Sequence, residues 1–333
     1  MQESKKPQNR RWVFSKKEDL LVFGGSSIIA ITIGFFINGF GDYFWMYVLH
    51  DQPHVYTTYF YTYGSDRFSK RFKVALALIP LMIFSILLST YYFGEAKYVS
   101  LLLAHYSIFH FMKQQTAWFF ISAARTGRSK RERIIDKFAI YSCIAGPALL
   151  SMMDGIGKRG WRTEVDLMVL PNYLKYPISM IMALSIAAYL LTQINHFIKN
   201  KEINWGKHFH LLNGLVIWVI YRLEPFPNAA IFGLLLLVFG HSTPYLFLGK
   251  KYVESRKVKG EHFLALLSSP KLMLPVLIVC TMLLSYGEVE TRIFFSENIV
   301  IRSLLLTVVL THFTIDSFLW RRDIHPEGLE FLK

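Results

Sequence analysis

The sequence predicts an all-α protein, a polytopic transmembrane helical bundle of about 10 spans with both termini cytoplasmic. Three observations predict it. Hydrophobic residues make up 53% of the 333 and charged residues only 18%, against about 25% charge in ordinary soluble domains. The apolar residues collect in repeated stretches of roughly 20 with little charge, the length a helix needs to cross a bilayer core. The chain carries 37 Lys and Arg against 23 Asp and Glu, and this excess falls in alternate connecting segments, as it does in cytoplasmic loops. In a soluble chain such a charge would point to nucleic acid. Here topology accounts for it, and no nucleic-acid partner is expected.

The spans are read at 20–40, 42–63, 74–94, 98–123, 136–153, 173–195, 208–223, 228–248, 272–287 and 297–320. The first is a glycine-containing aliphatic run. The second is aromatic and polar, so it either crosses or re-enters. The third is the most uniformly aliphatic. The fourth holds HYSIFHFMKQQ, the fifth follows a basic loop, and the sixth is again aliphatic. The seventh is short and ends near Arg222; Pro225 and Pro227 follow in a tight turn. The eighth holds Gly240, His241 and Pro244, where glycine allows a close helix approach. The ninth and tenth close the bundle.

The inner segments hold Arg10, Arg11, Lys16 and Lys17, then Lys70, Arg71 and Lys73. Arg125, Arg128, Lys130, Arg131 and Arg133 come next, then Lys199 and Lys207, Lys250 and Lys251, and Arg321. This bias holds on every inner loop only if the second span crosses. The expected organisation is a basic N-terminus at 1–19, one transmembrane domain at 20–320 and a short C-terminus at 321–333. No cleavable signal peptide is expected, because the first 19 residues are polar and basic. Cys143 and Cys280 lie inside apolar stretches and suggest neither a disulfide framework nor a thiolate site.

Polar groups at membrane depth are costly unless they pair or line a cavity, so they mark function. The second span holds His50, Asp51 and His54. The fourth holds His105, His110, Lys113 and Gln114, the eighth His241, and the tenth His312 and Asp316. These four spans all run in the same direction. At 1.5 Å rise per residue, His54, His110, His241 and His312 fall in one layer near the midplane, and His50 and His105 in a second layer further out. A histidine from each of four helices is how bundles build metal sites, and neutral imidazole suits iron, zinc or copper.

The expected ligands are His54, His110, His241 and His312. His50 or His105 would complete the shell or serve a second ion. Asp316 and Gln114, each one turn beyond a histidine, would orient an imidazole. Lys113 is read as deep enough to pair with Asp316 or a substrate headgroup, and Tyr106 as an assisting acid. Pro53 is expected to break the ladder beside His54. His196, His208 and His210 read as interface residues, and His262 and His325 as loop residues.

The strings PHVYTTY at 53–59, HYSIFHFMKQ at 105–114 and HFTIDSFLWR at 312–321 resemble signatures of an uncharacterised family of bacterial multi-span proteins. That resemblance implies a bacterial cytoplasmic membrane location and no particular activity. More distantly, the design is similar to the bacterial retinal-forming carotene dioxygenases, polytopic proteins whose iron is held by four histidines on separate helices. The similarity is one of architecture. The clustered histidine boxes of membrane hydroxylases and desaturases are missing, with only His50 and His54 at the first spacing.

The resulting expectation is a metal-dependent membrane oxidoreductase, an oxygenase with mononuclear or dinuclear iron acting on a lipid or isoprenoid-like substrate. A transporter for a metal ion or small anion is the second reading. A haem-binding electron carrier with paired axial histidines is the third.

Overall fold

The computed structural model of the chain describes residues 11–36, 46–126, 128–153, 168–200, 202–223, 229–257, 273–294, 297–321 and 332. Among them, α1 spans Lys16–Phe36. Then follow α2 Gln52–Tyr63, α3 Asp66–Tyr92, α4 Ala96–Ala124 and α5 Lys130–Met153. The chain continues with α6 Lys175–Asn200, α7 Trp205–Leu223, α8 Ala229–Lys257, α9 Met273–Phe294 and α10 Ile299–Leu319. The fold is all-α, with no strand among the described residues. Arg10, Pro225, Pro227, His262 and His325 lie outside the described residues, as do large parts of the connections at 154–172 and 251–268.

Each helix overlaps one expected span, but the count of about 10 crossings is corrected. Five helical stretches among the described residues are long and apolar enough to cross a membrane: Lys16–Phe36, Phe68–Tyr92, Lys130–Met153, Asn172–Asn200 and Ile299–Leu319. The reason differs by helix. α2 and the π turn that runs into it carry Asp, Gln, His and Thr where a span would carry aliphatic residues. α4 and α7 are longer, but His, Lys, Gln and Asn replace aliphatic residues along them.

Local signals start several helices. The Ser15 hydroxyl accepts from the Glu18 N–H, Ser65 from Phe68, and Asn298 from Val300 and Ile301. Each cap satisfies donors that a helix start leaves open. Pro80, Pro147 and Pro244 sit inside helices that continue through them.

The chain forms two compact units, each assembled from two separated stretches. One comprises Met1–Asn38 and Ile108–Gly240, the other Gly39–Ser107 and His241–Lys333. In the first unit, α5 packs against α6 and α7 around Ile140, Ile144, Ile217 and Trp218, all fully buried. Residues 11–14 pack into this unit, with Trp12 and Val13 buried. The Val13 and Phe14 N–H groups donate to Asp19 at 2.7 and 2.9 Å, and His210 Nε2 stands 3.0 Å from the same carboxylate. Gly206 makes the fit possible, because a Cβ there would overlap the Arg11 carbonyl.

Two cations converge on Asp136, which is fully buried. Arg128 Nη1 lies 2.5 Å from Oδ2 and Lys207 Nζ 3.1 Å from Oδ1. Arg128 and Lys207 therefore serve the interior of the unit and not loop charge alone.

In the second unit, α10 packs along α3 and α2, and α9 packs against α2 and the π turn Tyr47–Asp51 that precedes it. Its main core holds Tyr61, Phe68, Leu76, Tyr245, Tyr252, Val253, Ile315 and Leu319. A smaller cluster joins Leu87 and Val99 to Leu306, Leu310 and Phe313.

Candidate metal centre

The centre begins at the start of α2. The π turn Tyr47–Asp51 runs directly into Gln52–Tyr63, with Pro53 in the first turn. The backbone stays helical through Pro53, with the ladder at π spacing in the turn before it. From that start, Asp51, His54, Thr58 and Tyr61 follow at spacings of three and four and share one face. All four are buried. A π turn is itself frequent at functional sites.

His54, at 1% exposure, is the hub. Its Nε2 lies 2.9 Å from His241 Nε2 and 3.1 Å from His312 Nε2. The rings meet edge to face, at 83° and 76°. His241 and His312 are fully buried. His110 is buried as well, but it belongs to the other unit.

The hydrogen-bond partners decide what this cluster can hold. His54 Nδ1 donates to the Asp51 backbone carbonyl, which can only accept, so the neutral ring carries its proton there. The Nε2 then offers a single in-plane lone pair to two nitrogen neighbours. A hydrogen bond can use that lone pair once, whereas a cation between the rings satisfies all the contacts together. Two nitrogens about 2.1 Å from one ion stand about 3.0 Å apart at a right angle and about 3.4 Å apart at the tetrahedral angle. The observed separations match the first value. The buried cluster of His54, His241 and His312 is able to coordinate a transition-metal ion.

No protein-family model, curated protein or solved structure matches the chain. The site is therefore read from its own geometry.

Polar partners fix the imidazoles from behind. Ser242 donates to Asp51 Oδ1, and that oxygen stands 3.3 Å from His54 Nδ1. On the far side, His312 Nδ1 lies 2.6 Å from Thr58 Oγ1. Thr58 donates to Asp316 Oδ1 at 3.3 Å, and Tyr245 OH donates to the same oxygen at 2.8 Å. The Thr58 hydroxyl thus accepts from His312 and passes the interaction to the carboxylate. Such bonds turn the ring nitrogens toward an ion and raise their basicity. Thr58→Val removes the link at nearly constant volume. Metal affinity is expected to fall about 10–100-fold, measured by titration against a competing chelator. An unchanged affinity would show that Thr58 does not orient His312.

The other expected site residues fall into different places. His50 is half-buried and pairs with Thr243 Oγ1 at 2.9 Å, and His105 Nδ1 donates to the Leu101 carbonyl at 2.8 Å. Neither belongs to the histidine cluster. Tyr106 packs on Phe313 and its hydroxyl meets Thr314 at 3.2 Å. Gln114 is half-buried and Lys113 is exposed. His196 pairs with Glu132, and His208 with Tyr189.

Thr58, Tyr245 and Ser242 escaped the sequence reading. Thr58 and Tyr245 lie one turn beyond His54 and His241, the spacing that singled out Asp316 and Gln114. Glu288 was also missed, because it falls one residue past the expected end of its span. It is a buried carboxylate that accepts from Gln52 Nε2 at 2.6 Å and Tyr56 OH at 2.5 Å.

Proposed function

We propose that this protein is a metal-dependent membrane oxidoreductase, an oxygenase that uses iron on a lipid or isoprenoid-like substrate. The observation that carries the reading is the convergence of three Nε2 atoms at 2.9 and 3.1 Å in a buried site. The donor set is all imidazole, which suits iron, copper or zinc over magnesium or calcium. Separations typical of right-angled ligand pairs favour six-coordination over a closed tetrahedral cage. The imidazoles of His54, His241 and His312 on a six-coordinate ion leave positions for dioxygen and substrate. Asp51 and Asp316 hold the imidazoles in orientation, and burial keeps bulk water away from the reacting centre. The same rigidity counts against transport, where an ion must leave as readily as it enters. A porphyrin would need a clear plane between two axial nitrogens, and a third imidazole about 3 Å away disfavours that reading. The long apolar helices fit a substrate that arrives from the hydrocarbon phase of a bacterial cytoplasmic membrane.

The test is elemental analysis of detergent-purified protein, followed by oxygen uptake with a panel of polyenes, isoprenoids and fatty acyl lipids. The expected result is stoichiometric iron and uptake that one substrate class stimulates and a chelator abolishes. Stoichiometric zinc with no oxygen uptake would overturn the oxygenase reading. Metal flux into proteoliposomes would put transport in its place.

A further inference from the structure

The core beside the histidine centre is sorted by chemistry as well as by size. Tyr245 is fully buried, and its ring centre lies 5.3 Å from that of His54 and 5.7 Å from that of His312. Trp320 follows at 5.6 Å from Tyr245. Tyr61 stands 6.5 Å from Tyr245 and 6.2 Å from Trp320. Tyr252 is 5.8 Å from Tyr61 and 5.6 Å from Trp320. Phenylalanine would fill these positions equally well, and it does so elsewhere in the same core. Phe68, Phe72 and Phe318 pack on one another at 4.6 to 6.1 Å. The oxidisable rings are thus contiguous and reach His54 and His312. Trp320 is half-buried at the end of α10 and is followed by the exposed Arg321. The chain of rings therefore runs from the centre toward the surface.

We infer that Tyr245, Trp320, Tyr61 and Tyr252 form a one-electron relay between the histidine centre and the end of α10. This rests on the redox reading of that centre. Electron tunnelling decays exponentially with distance, so rings in contact carry a charge by short steps where one long step would be slow. The Tyr245 phenol adds what a relay next to a metal needs. Its O–H points at Asp316 Oδ1, 2.8 Å away. With a strongly oxidising metal ion held by the histidines, Tyr245 would give up one electron, and its hydroxyl proton would pass to the hydrogen-bonded Asp316 oxygen, leaving a neutral phenoxyl ring. Trp320 would return one electron to that ring while the proton moved back from Asp316. A soluble one-electron donor, such as a small reduced redox protein, would then refill Trp320 at the surface. Tyr61 and Tyr252 pack against the Trp320 ring. In one cycle the donor is oxidised by one electron and the metal reduced by one.

The experiment compares the wild-type chain, Tyr245→Phe, Trp320→Phe and Tyr61→Phe, each loaded with iron and assayed for bound metal. The oxidised centre is mixed with ferrocyanide in stopped flow, and parallel samples are freeze-quenched for electron paramagnetic resonance. Trp320 and Tyr61 pack on Tyr245, one ring further out, so their variants separate the relay from metal binding. The expected result is re-reduction about tenfold slower in Tyr245→Phe and Trp320→Phe, equal to about 1.4 kcal/mol on the barrier. A tyrosyl signal should accumulate in Trp320→Phe and be absent in Tyr245→Phe. Full metal content with wild-type re-reduction rates in all variants and no ring radical would overturn the relay and leave the metal centre standing. Wild-type protein without bound iron would overturn both readings.

Discussion

His54→Ala is expected to abolish stoichiometric metal binding. His54 places its Nε2 against two other imidazoles, at 2.9 and 3.1 Å. Its removal takes away the nitrogen that both neighbours share and the ring that the Asp51 carbonyl and Ser242 hold in place. The loss of affinity should exceed the roughly 100-fold upper end for residues that merely orient a ligand. His312→Ala should behave alike. His50→Ala and His105→Ala should keep the metal, since one side chain bonds Thr243 and the other a backbone carbonyl. The measurement is metal per chain after dialysis against a weak chelator. Full occupancy in His54→Ala would refute the centre described here, and loss in His50→Ala would enlarge it.

The largest expected effect on stability lies in the other unit, at Asp136. The carboxylate is fully buried and receives Arg128 and Lys207. Asp136→Ala leaves the buried Lys207 ammonium and the Arg128 guanidinium without that partner. Removing one member of a buried ionic group costs about 3–5 kcal/mol, chiefly through the charge left behind. The thermal unfolding midpoint in detergent should fall by several degrees or more. Adding Lys207→Met, which removes the stranded ammonium at similar volume, should recover part of the loss. If the single variant unfolds at the wild-type temperature, water reaches this cluster freely and its burial carries little weight.

Much of the metal centre was legible in the sequence because depth in a helix is a count of residues. His54, His110, His241 and His312 share one layer by the 1.5 Å rise alone, and within one unit the fold brings His54, His241 and His312 together, while His110 belongs to the other unit. The same count sets His50 and His105 in a second layer. Depth says nothing of azimuth, though, and the bonds each ring makes are set by packing. The helical character of each segment is also legible, from apolar runs and caps. The number of long apolar helices is not. The stretch from Tyr47 to Tyr63 is helical as expected, but its Asp, Gln, His and Thr keep it from being apolar enough to stand among them. Asp19, Asp136 and Glu288 were passed over for a related reason. They sit at or near helix ends, where a charge in sequence reads as solvated loop and only the tertiary partner reveals burial.

The two stretches that make up each unit have a consequence for biogenesis. His54 and His312 are 258 residues apart, and a ribosome adding about 5–20 residues per second delivers the second roughly 10–50 s after the first. Throughout that interval Asp51 and His54 are already synthesised without the α8 and α10 side chains that later surround them. A delay of roughly 10–40 s separates Arg11 from Ile203, 192 residues on in the other unit. Neither unit can close until most of the polypeptide has been made. A metal ion held by His54, His241 and His312 would therefore load only after both stretches had been made, onto helices already associated, so that the supply of metal would govern maturation of the site and not insertion of the chain.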